Sequence, residues 1–360
     1  MARIVTVFSP SRRPLRLIEM SYIRWVKISE ALARQGHEVH FATSAVRWWP
    51  ARDRVVLRDG VRMVSLDRVR WSDYDVVKTL FHDGFTTLAD RGGATHPFII
   101  AKLGSVVGPR DRDGIYFYGR VRERLYETQQ AINQAARYVT VLSPQAGELW
   151  RECHGTFREL LLVPGAVDAI LPALGPDPYP ADGRPRVLFA GNIYRLQDQP
   201  EANRVLSAKL NALGKALAVR GAALYFLGTG DTRALDRTIV THLGHASYER
   251  SWDHLRYANV GVVVAAGSFM HNNESTKIYH YLRAGLPVVS EAGFPNDHVV
   301  TESGLGEVVP NGDMMLMAER IDAALRRDWD RDAGVRFILD HHTWDGRAAV
   351  YDRVIRAQAR

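Results

Sequence analysis

Lys277 stands where a lysine can do chemistry. It lies in Asn272-Asn273-Glu274-Ser275-Thr276-Lys277-Ile278-Tyr279-His280-Tyr281, and Asn272, Asn273 and Ser275 supply helix-start residues just before it. On the predicted helix Lys277, His280 and Tyr281 fall at i, i+3 and i+4, so they share one face, with Glu274 a turn earlier on the same side. The N-terminus of a helix offers unsatisfied N–H groups to an anion, and a lysine there adds a full positive charge. The chemistry open to this set is to hold and neutralise an anionic group. A solvated charged helix face fits the same spacing equally well.

Other residues carry weaker signals. Gly228 and Gly230, in Gly228-Thr229-Gly230-Asp231, allow close backbone approach to a ligand and equally suit an ordinary turn. Asp111 and Asp113 spell Asp-x-Asp, a metal-binding pattern, but Asp73/Asp75 and Asp328/Asp330 spell it too, so the pattern singles out no site. His341 and His342 are adjacent and cannot chelate from one helix face. No metal and no organic cofactor is expected. A dinucleotide fold would place G-x-G-x-x-G after its first strand, and no glycine precedes Gly36, which argues against a dinucleotide-dependent oxidoreductase.

The elements that must position these residues alternate along the chain. Residues 4–8, 37–41, 61–66, 75–80, 98–102, 138–143 and 160–165 read as strands, with helices over 18–35 and 116–137 and another opening at Ser143-Pro144. Loops are expected at 81–84 and 103–105. Residues 169–185 hold five prolines and two glycines and read as a hinge linker. A second alternation follows: strand 186–192, helix 200–220, strand 222–227, the glycine loop, further helix, buried strand 260–264, the Lys277 helix and strand 288–289. Gly285 can end that helix in a left-handed turn, and Pro287 prevents it resuming. A strand at 306–310 and a helix at 313–326 come next. Two such series predict an α/β chain of two Rossmann-like parallel-sheet domains facing a cleft, with ligands at the carboxyl ends of the strands.

Composition agrees. The 360 residues are 46% hydrophobic and 24% charged, as in a globular protein able to bury two cores. The single cysteine, Cys153, permits no internal disulfide, which fits a cytoplasmic setting. Residues 1–8 are too short for a signal peptide, and no apolar run approaches a membrane span. The net charge of +7 is uneven: residues 1–180 carry 25 Lys and Arg against 19 Asp and Glu, the rest 22 against 21. Arg110, Arg112, Arg120, Arg122 and Arg124 cluster with Tyr116, Phe117 and Tyr118, while Trp48 and Trp49 neighbour Arg47, Arg52 and Arg54. Basic-aromatic segments suit peripheral contact with an anionic membrane face.

The stretch ending Ala284-Gly285-Leu286-Pro287-Val288-Val289 resembles the donor-site motif of GT-B glycosyltransferases, which pairs two glutamates eight positions apart before a Gly-x-Pro-Val-Val end. Aligned on that end, the glutamates fall at Asn272 and His280, so neither is kept. Ser275-x-Lys277-x-x-x-Tyr281 is more similar to bacterial polysaccharide enzymes such as the xanthan glucuronosyltransferase. Ala31-Leu-Ala-Arg-Gln-Gly-His-Glu-Val39 resembles the opening of many GT-B N-domains, and Val163-Pro-Gly-Ala-Val-Asp168 the segment that closes them.

That resemblance implies an acceptor-binding domain over 1–168, a linker over 169–185, a nucleotide-sugar domain over 186–345 and a helix over 346–360 returning to the first domain. It implies a hexosyltransferase that moves sugar from a nucleotide diphosphate, with uridine expected, to a glycan, lipid-linked or small-molecule acceptor, without metal. Lys277 would meet the diphosphate, assisted by Arg195 after the Gly191-Asn192 turn, and by Ser275 and Thr276. His280 or Glu274 would replace the lost ribose-binding glutamate, and His245 would pack on the nucleobase. His82, Asp83, Asp111 and Asp113 are rival candidates for the base, and Arg12 and Arg13 for the acceptor or donor phosphate. A sugar-nucleotide 2-epimerase shares the fold. A basic nucleic-acid or anionic-lipid binding protein is the non-enzyme alternative, although a nucleic-acid partner is not expected.

Overall fold

In the computed structural model, residues 1–7, 20–43, 58–108, 119–156, 158–197 and 199–358 are described. The chain forms two units, one of residues 1–165 with 344–360 and one of residues 166–343.

The first unit is built on a seven-stranded sheet. Its elements are β1 (Arg3–Val7), α1 (Met20–Arg34), β2 (Glu38–Thr43), β3 (Arg62–Ser65), β4 (Val76–Leu80), α2 (Phe81–Asp90), β5 (Ile99–Lys102), α3 (Gly119–Ala135), β6 (Tyr138–Val141), α4 (Pro144–His154) and β7 (Glu159–Leu162). The strand order is β3-β2-β1-β4-β5-β6-β7, and every pairing is parallel. Strands buried on both faces read as continuous apolar runs, as Ile99 to Ala101 and Val76 to Val77 do. Ser143 starts α4 by accepting from Ala146 N–H at 3.0 Å, with Pro144 in the first turn.

The second unit holds β8 (Arg186–Ile193), α5 (Pro200–Val219), β9 (Ala223–Gly230), β10 (Val240–Gly244), α6 (Tyr248–Tyr257), β11 (Val260–Val263), α7 (Thr276–Arg283), β12 (Val288–Glu291), α8 (His298–Glu302), β13 (Gly306–Val309), α9 (Met314–Arg326) and α10 (Arg331–His341). Its parallel sheet runs β10-β9-β8-β11-β12-β13. The order reverses between β8 and β11, as it does between β1 and β4 in the first unit. Such switch points open a crevice at the carboxyl edge of the sheet. The last helix, α11 (Trp344–Gln358), belongs to the first unit. There Arg34 on α1 pairs with Asp345 at 2.8 Å, and His37 Nε2–H donates to Asp352 at 2.7 Å.

Four local expectations are corrected. Residues 81–84 are not a loop but the first turn of α2, because Phe81 takes a left-handed φ of 55° and turns the chain from β4 straight into the helix. The Gly228–Asp231 stretch is not a glycine loop: its glycines close β9, opposite Gly191 and Ile193 of β8. The further helix expected after the glycine stretch is preceded by a strand, β10, which Gly244 ends and His245 follows. Residues 169–185 are not a free hinge. They pack within the second unit, where Gly175 N–H donates to Asp253 at 2.8 Å and Tyr179 O–H donates to the His254 carbonyl at 2.8 Å.

Candidate functional site

The entry to α7 is fixed from outside the helix. Asn296 accepts from Ser275 N–H at 2.8 Å and donates to the Ser275 carbonyl at 3.0 Å. The Ser275 hydroxyl does not cap the helix, and its buried Oγ has no partner among the described residues. The first-turn N–H groups of α7 therefore lack a side-chain acceptor from their N-cap.

Tyr281 sets the helix against the sheet. Its ring lies on Gly261 of β11, where a Cβ would come within 2.6 Å of a ring carbon. Its hydroxyl accepts from Ala190 N–H at 2.7 Å and donates to the Leu188 carbonyl at 3.3 Å. The side chain is wholly buried, and that burial raises its pKa. Tyr281, expected among the ligand-binding residues, is thus a core residue that presses α7 onto β8 at the switch point.

Lys277 lies one turn earlier on that face. Its stem covers Gly191, where a Cβ would lie 2.6 Å from Cε and 3.2 Å from Nζ. The ammonium is 5.4 Å from the Phe189 ring centroid. Lys277 is half-buried, and no hydrogen bond or ion pair engages it among the described residues. Burial without a counter-ion lowers its pKa to about 8. A helix N-terminus that its own N-cap side chain does not close, and a hydroxyl and a lysine without partners among the described residues, therefore meet at the carboxyl edge of the sheet, an arrangement suited to an anion.

The rest of the expected face divides. His280 turns toward α6, where its ring packs 5.1 Å from Trp252 and 6.0 Å from Tyr248, and its Nδ1–H donates to the Thr276 carbonyl at 2.9 Å. Glu274 precedes the helix, so the i, i+3 rule does not govern it, and it accepts from Tyr279 O–H at 3.0 Å. Thr276 is half-buried in the first turn.

Beside Lys277, Asn192 is exposed and accepts from the Thr229 hydroxyl at 2.9 Å. Arg195 follows β8, exposed, and its guanidinium has no partner among the described residues. Gly228 and Gly230 have a structural cause: a Cβ would lie 1.6 Å from the Gly191 carbonyl oxygen at the first and 1.7 Å from that of Ile193 at the second. These glycines let two strands approach each other. His245 is exposed at the end of β10, and the neighbouring His242 stacks on Phe226 at 4.7 Å and donates from Nε2–H to the Gly228 carbonyl at 3.0 Å.

Sequence reasoning passed over Asn296 and a buried ion pair. Glu291, at the end of β12, accepts from Lys209 Nζ at 2.8 Å, Ala265 N–H at 2.6 Å and Gly312 N–H at 2.7 Å. Lys209 also donates to Asn311 at 2.8 Å. A glutamate ending the apolar run Pro287-Val288-Val289-Ser290 was the available signal.

At the switch point of the first unit, α2 is pressed against β1: a Cβ on Gly84 would lie 2.9 Å from the Val7 carbonyl oxygen. Asp83 is exposed in the first turn, with no partner among the described residues. His82 is buried, and its Nε2 lies 2.8 Å from Gln129 Nε2. Arg12, Arg13, Asp111 and Asp113 lie outside the described residues, as do Trp48, Trp49 and Arg110. Among the described residues no group of three or more His, Cys, Asp or Glu is disposed to hold a metal, and no helix is long and apolar enough to cross a membrane.

No protein-family profile matches the chain, and no curated protein matches it in sequence. Solved structures do match. Sucrose-phosphate synthase from Thermosynechococcus elongatus superposes with a TM-score of 0.71 at 16% identity, covering 99% of each chain. HepE from Anabaena, solved with UDP and glucose, gives 0.67 at 11% identity over 99% of this chain and 100% of its own. AviGT4, a glycosyltransferase involved in avilamycin A biosynthesis, gives 0.62 at 15% over 100% and 98%. The fold is that of GT-B glycosyltransferases, two Rossmann-like parallel-sheet domains.

Proposed function

We propose that the chain transfers a hexose-type sugar from a nucleoside diphosphate, with uridine as the base, to a glycan, lipid-linked or small-molecule acceptor, without a metal. Lys277 carries this reading: it is a half-buried lysine, without a partner among the described residues, on the first turn of a helix that its N-cap side chain leaves open, at the switch point of the second sheet. As the bond to the sugar breaks, the anomeric carbon becomes oxocarbenium-like and negative charge builds on the departing diphosphate. A fixed cation and a helix N-terminus stabilise that charge where it forms. Arg195, exposed after β8 and without a partner among the described residues, supplies a second positive group. Uridine is supported by the UDP held in HepE. The basic excess of residues 1–180 suits an acceptor carried on the cytoplasmic, anionic face of a membrane.

The test is a thermal-shift panel of UDP, GDP, TDP, CDP and NAD on wild type and Lys277→Ala. A ligand at about 100 times its Kd adds about 2.7 kcal/mol of stability, which a melting curve resolves. One nucleoside diphosphate should stabilise wild type and lose most of its effect in Lys277→Ala, while the unliganded variant melts no lower than wild type. A panel without any shift, or a shift indifferent to Lys277, overturns the reading.

A further inference from the structure

Gln129 on α3 makes four hydrogen bonds with one side chain. Its Nε2 donates to the Ser105 carbonyl at 2.8 Å and to His82 Nε2 at 2.8 Å. Its Oε1 accepts from Val107 N–H at 2.9 Å and from His154 Nε2 at 3.0 Å. Two of the four partners are backbone groups of fixed polarity, since a carbonyl only accepts and an N–H only donates. The amide therefore cannot be turned round, and both ring tautomers follow from it. His82 Nε2 faces a donor and must present its lone pair, so the neutral ring carries its proton on Nδ1. His154 Nε2 faces an acceptor and must carry the proton itself.

All three side chains are buried. Protonating His82 would set a second N–H against the amide N–H. Burial first, then the positive charge of Arg124 on α3 and the neighbouring His154 on α4, bring the His82 pKa down to about 4. Burial brings His154 to about 4 as well. On α2 itself the adjacent Asp83 is exposed, and His82 Nδ1 has no partner among the described residues.

We infer that Gln129 and His154 are positioning residues that hold His82 neutral with its proton on Nδ1, so that His82 offers a hydrogen-bond donor at the start of α2 and takes no proton in the reaction. Another group then takes the acceptor's proton, and among the described residues the exposed carboxylate of Asp83, next in sequence, is the candidate. The assignment of a reaction to this edge rests on the proposed function, whereas the tautomer does not.

Long-range 1H–15N correlation spectra of the full chain, labelled with 15N-histidine and free of ligand, read the tautomer directly. His82 is identified by the signals missing in His82→Asn. In wild type the Nδ1–H tautomer is expected at pH 7 and should persist to pH 5. In Gln129→Glu a carboxylate accepts from both rings, so the His82 proton should move to Nε2 and its titration midpoint should rise by about one pH unit or more. An Nε2–H tautomer or a doubly protonated ring in wild type at pH 7 overturns the inference. So does a folded Gln129→Glu protein that keeps the wild-type tautomer and midpoint. If Gln129→Glu fails to fold, the wild-type spectrum decides alone. No nucleotide enters the measurement, so a failed nucleotide panel and a failed tautomer are separate results.

Discussion

Lys277 is held by its stem and not by its charge. Gly191 makes room for the methylenes and Phe189 lies under the ammonium, but no carboxylate neutralises it among the described residues. Two consequences belong to this residue. Gly191→Ala adds a methyl that would stand 2.6 Å from Cε. The lysine tip is flexible and can swing aside, so the melting temperature should change little while affinity for the nucleoside diphosphate falls by about tenfold, or about 1.4 kcal/mol. Titration calorimetry on the variant checks this, and unchanged affinity would show that the ammonium does not meet the ligand. The second consequence is a pH dependence. Free Lys277 has a pKa of about 8, and a bound diphosphate raises it. Affinity is then at full strength below pH 8 and declines above it, by up to about tenfold per pH unit, until the pKa of the complex is passed. Calorimetry from pH 7.5 to 9.5 should find that decline in wild type and its absence in Lys277→Met.

The loops after β11 and β13 are tied to one carboxylate. Glu291 on β12 accepts from Ala265 N–H and Gly312 N–H, and Lys209 on α5 neutralises it. Removing one member of a buried pair leaves the other charge uncompensated and costs about 3–5 kcal/mol, whereas removing both costs much less. Lys209→Met should therefore shift the urea midpoint sharply, and Lys209→Met with Glu291→Gln should recover much of it. Additive losses would mean the pair is not the link. Sequence shows why this tie escapes reading: its two charges are 82 residues apart, and only the fold brings them together. By contrast, Val260 to Val263 and the Gly285-Leu286-Pro287 turn were legible, because a continuous apolar run and a left-handed Gly before Pro each have one good local solution. β10 was missed because it is a half-buried edge strand, Val-Thr-His-Leu-Gly, with little apolar signal. The start of α2 was misread because Asp83-Gly84 resembles turn chemistry, while the turn is made by Phe81 at a left-handed φ that few sequences announce. The same limit divided the site. Lys277 could be found from helix-start chemistry, but whether Tyr281 and His280 faced a ligand depended on what packed against them.

The chain leaves the first unit at residue 165 and returns to it at residue 344. That return seals a charge. Lys78 on β4 is 3% exposed, and its ammonium lies 3.9 Å from the ring centroid of Tyr351 on α11. No carboxylate or hydrogen bond engages it among the described residues. The aromatic face favours the charged form, but burial outweighs it and brings the pKa from 10.5 to about 7. Between pH 7 and 10.5 the unfolded chain holds a proton on Lys78 that the folded chain has lost, so this group makes stability rise with pH across that window. Below pH 7 both states are protonated and the burial penalty is constant and largest. Lys78→Met keeps the length and apolar character of the stem and removes the ammonium. It should stabilise the protein at pH 6 by on the order of 5 kcal/mol, and the gain should shrink steadily as pH climbs from 7 toward 10.5. Subtracting paired urea denaturation curves cancels the histidines and Lys277, which titrate alike in both proteins. A pH-independent difference would show that Lys78 stays charged under α11. A loss of stability at every pH would show that the ammonium–Tyr351 contact, and not burial, governs this seam.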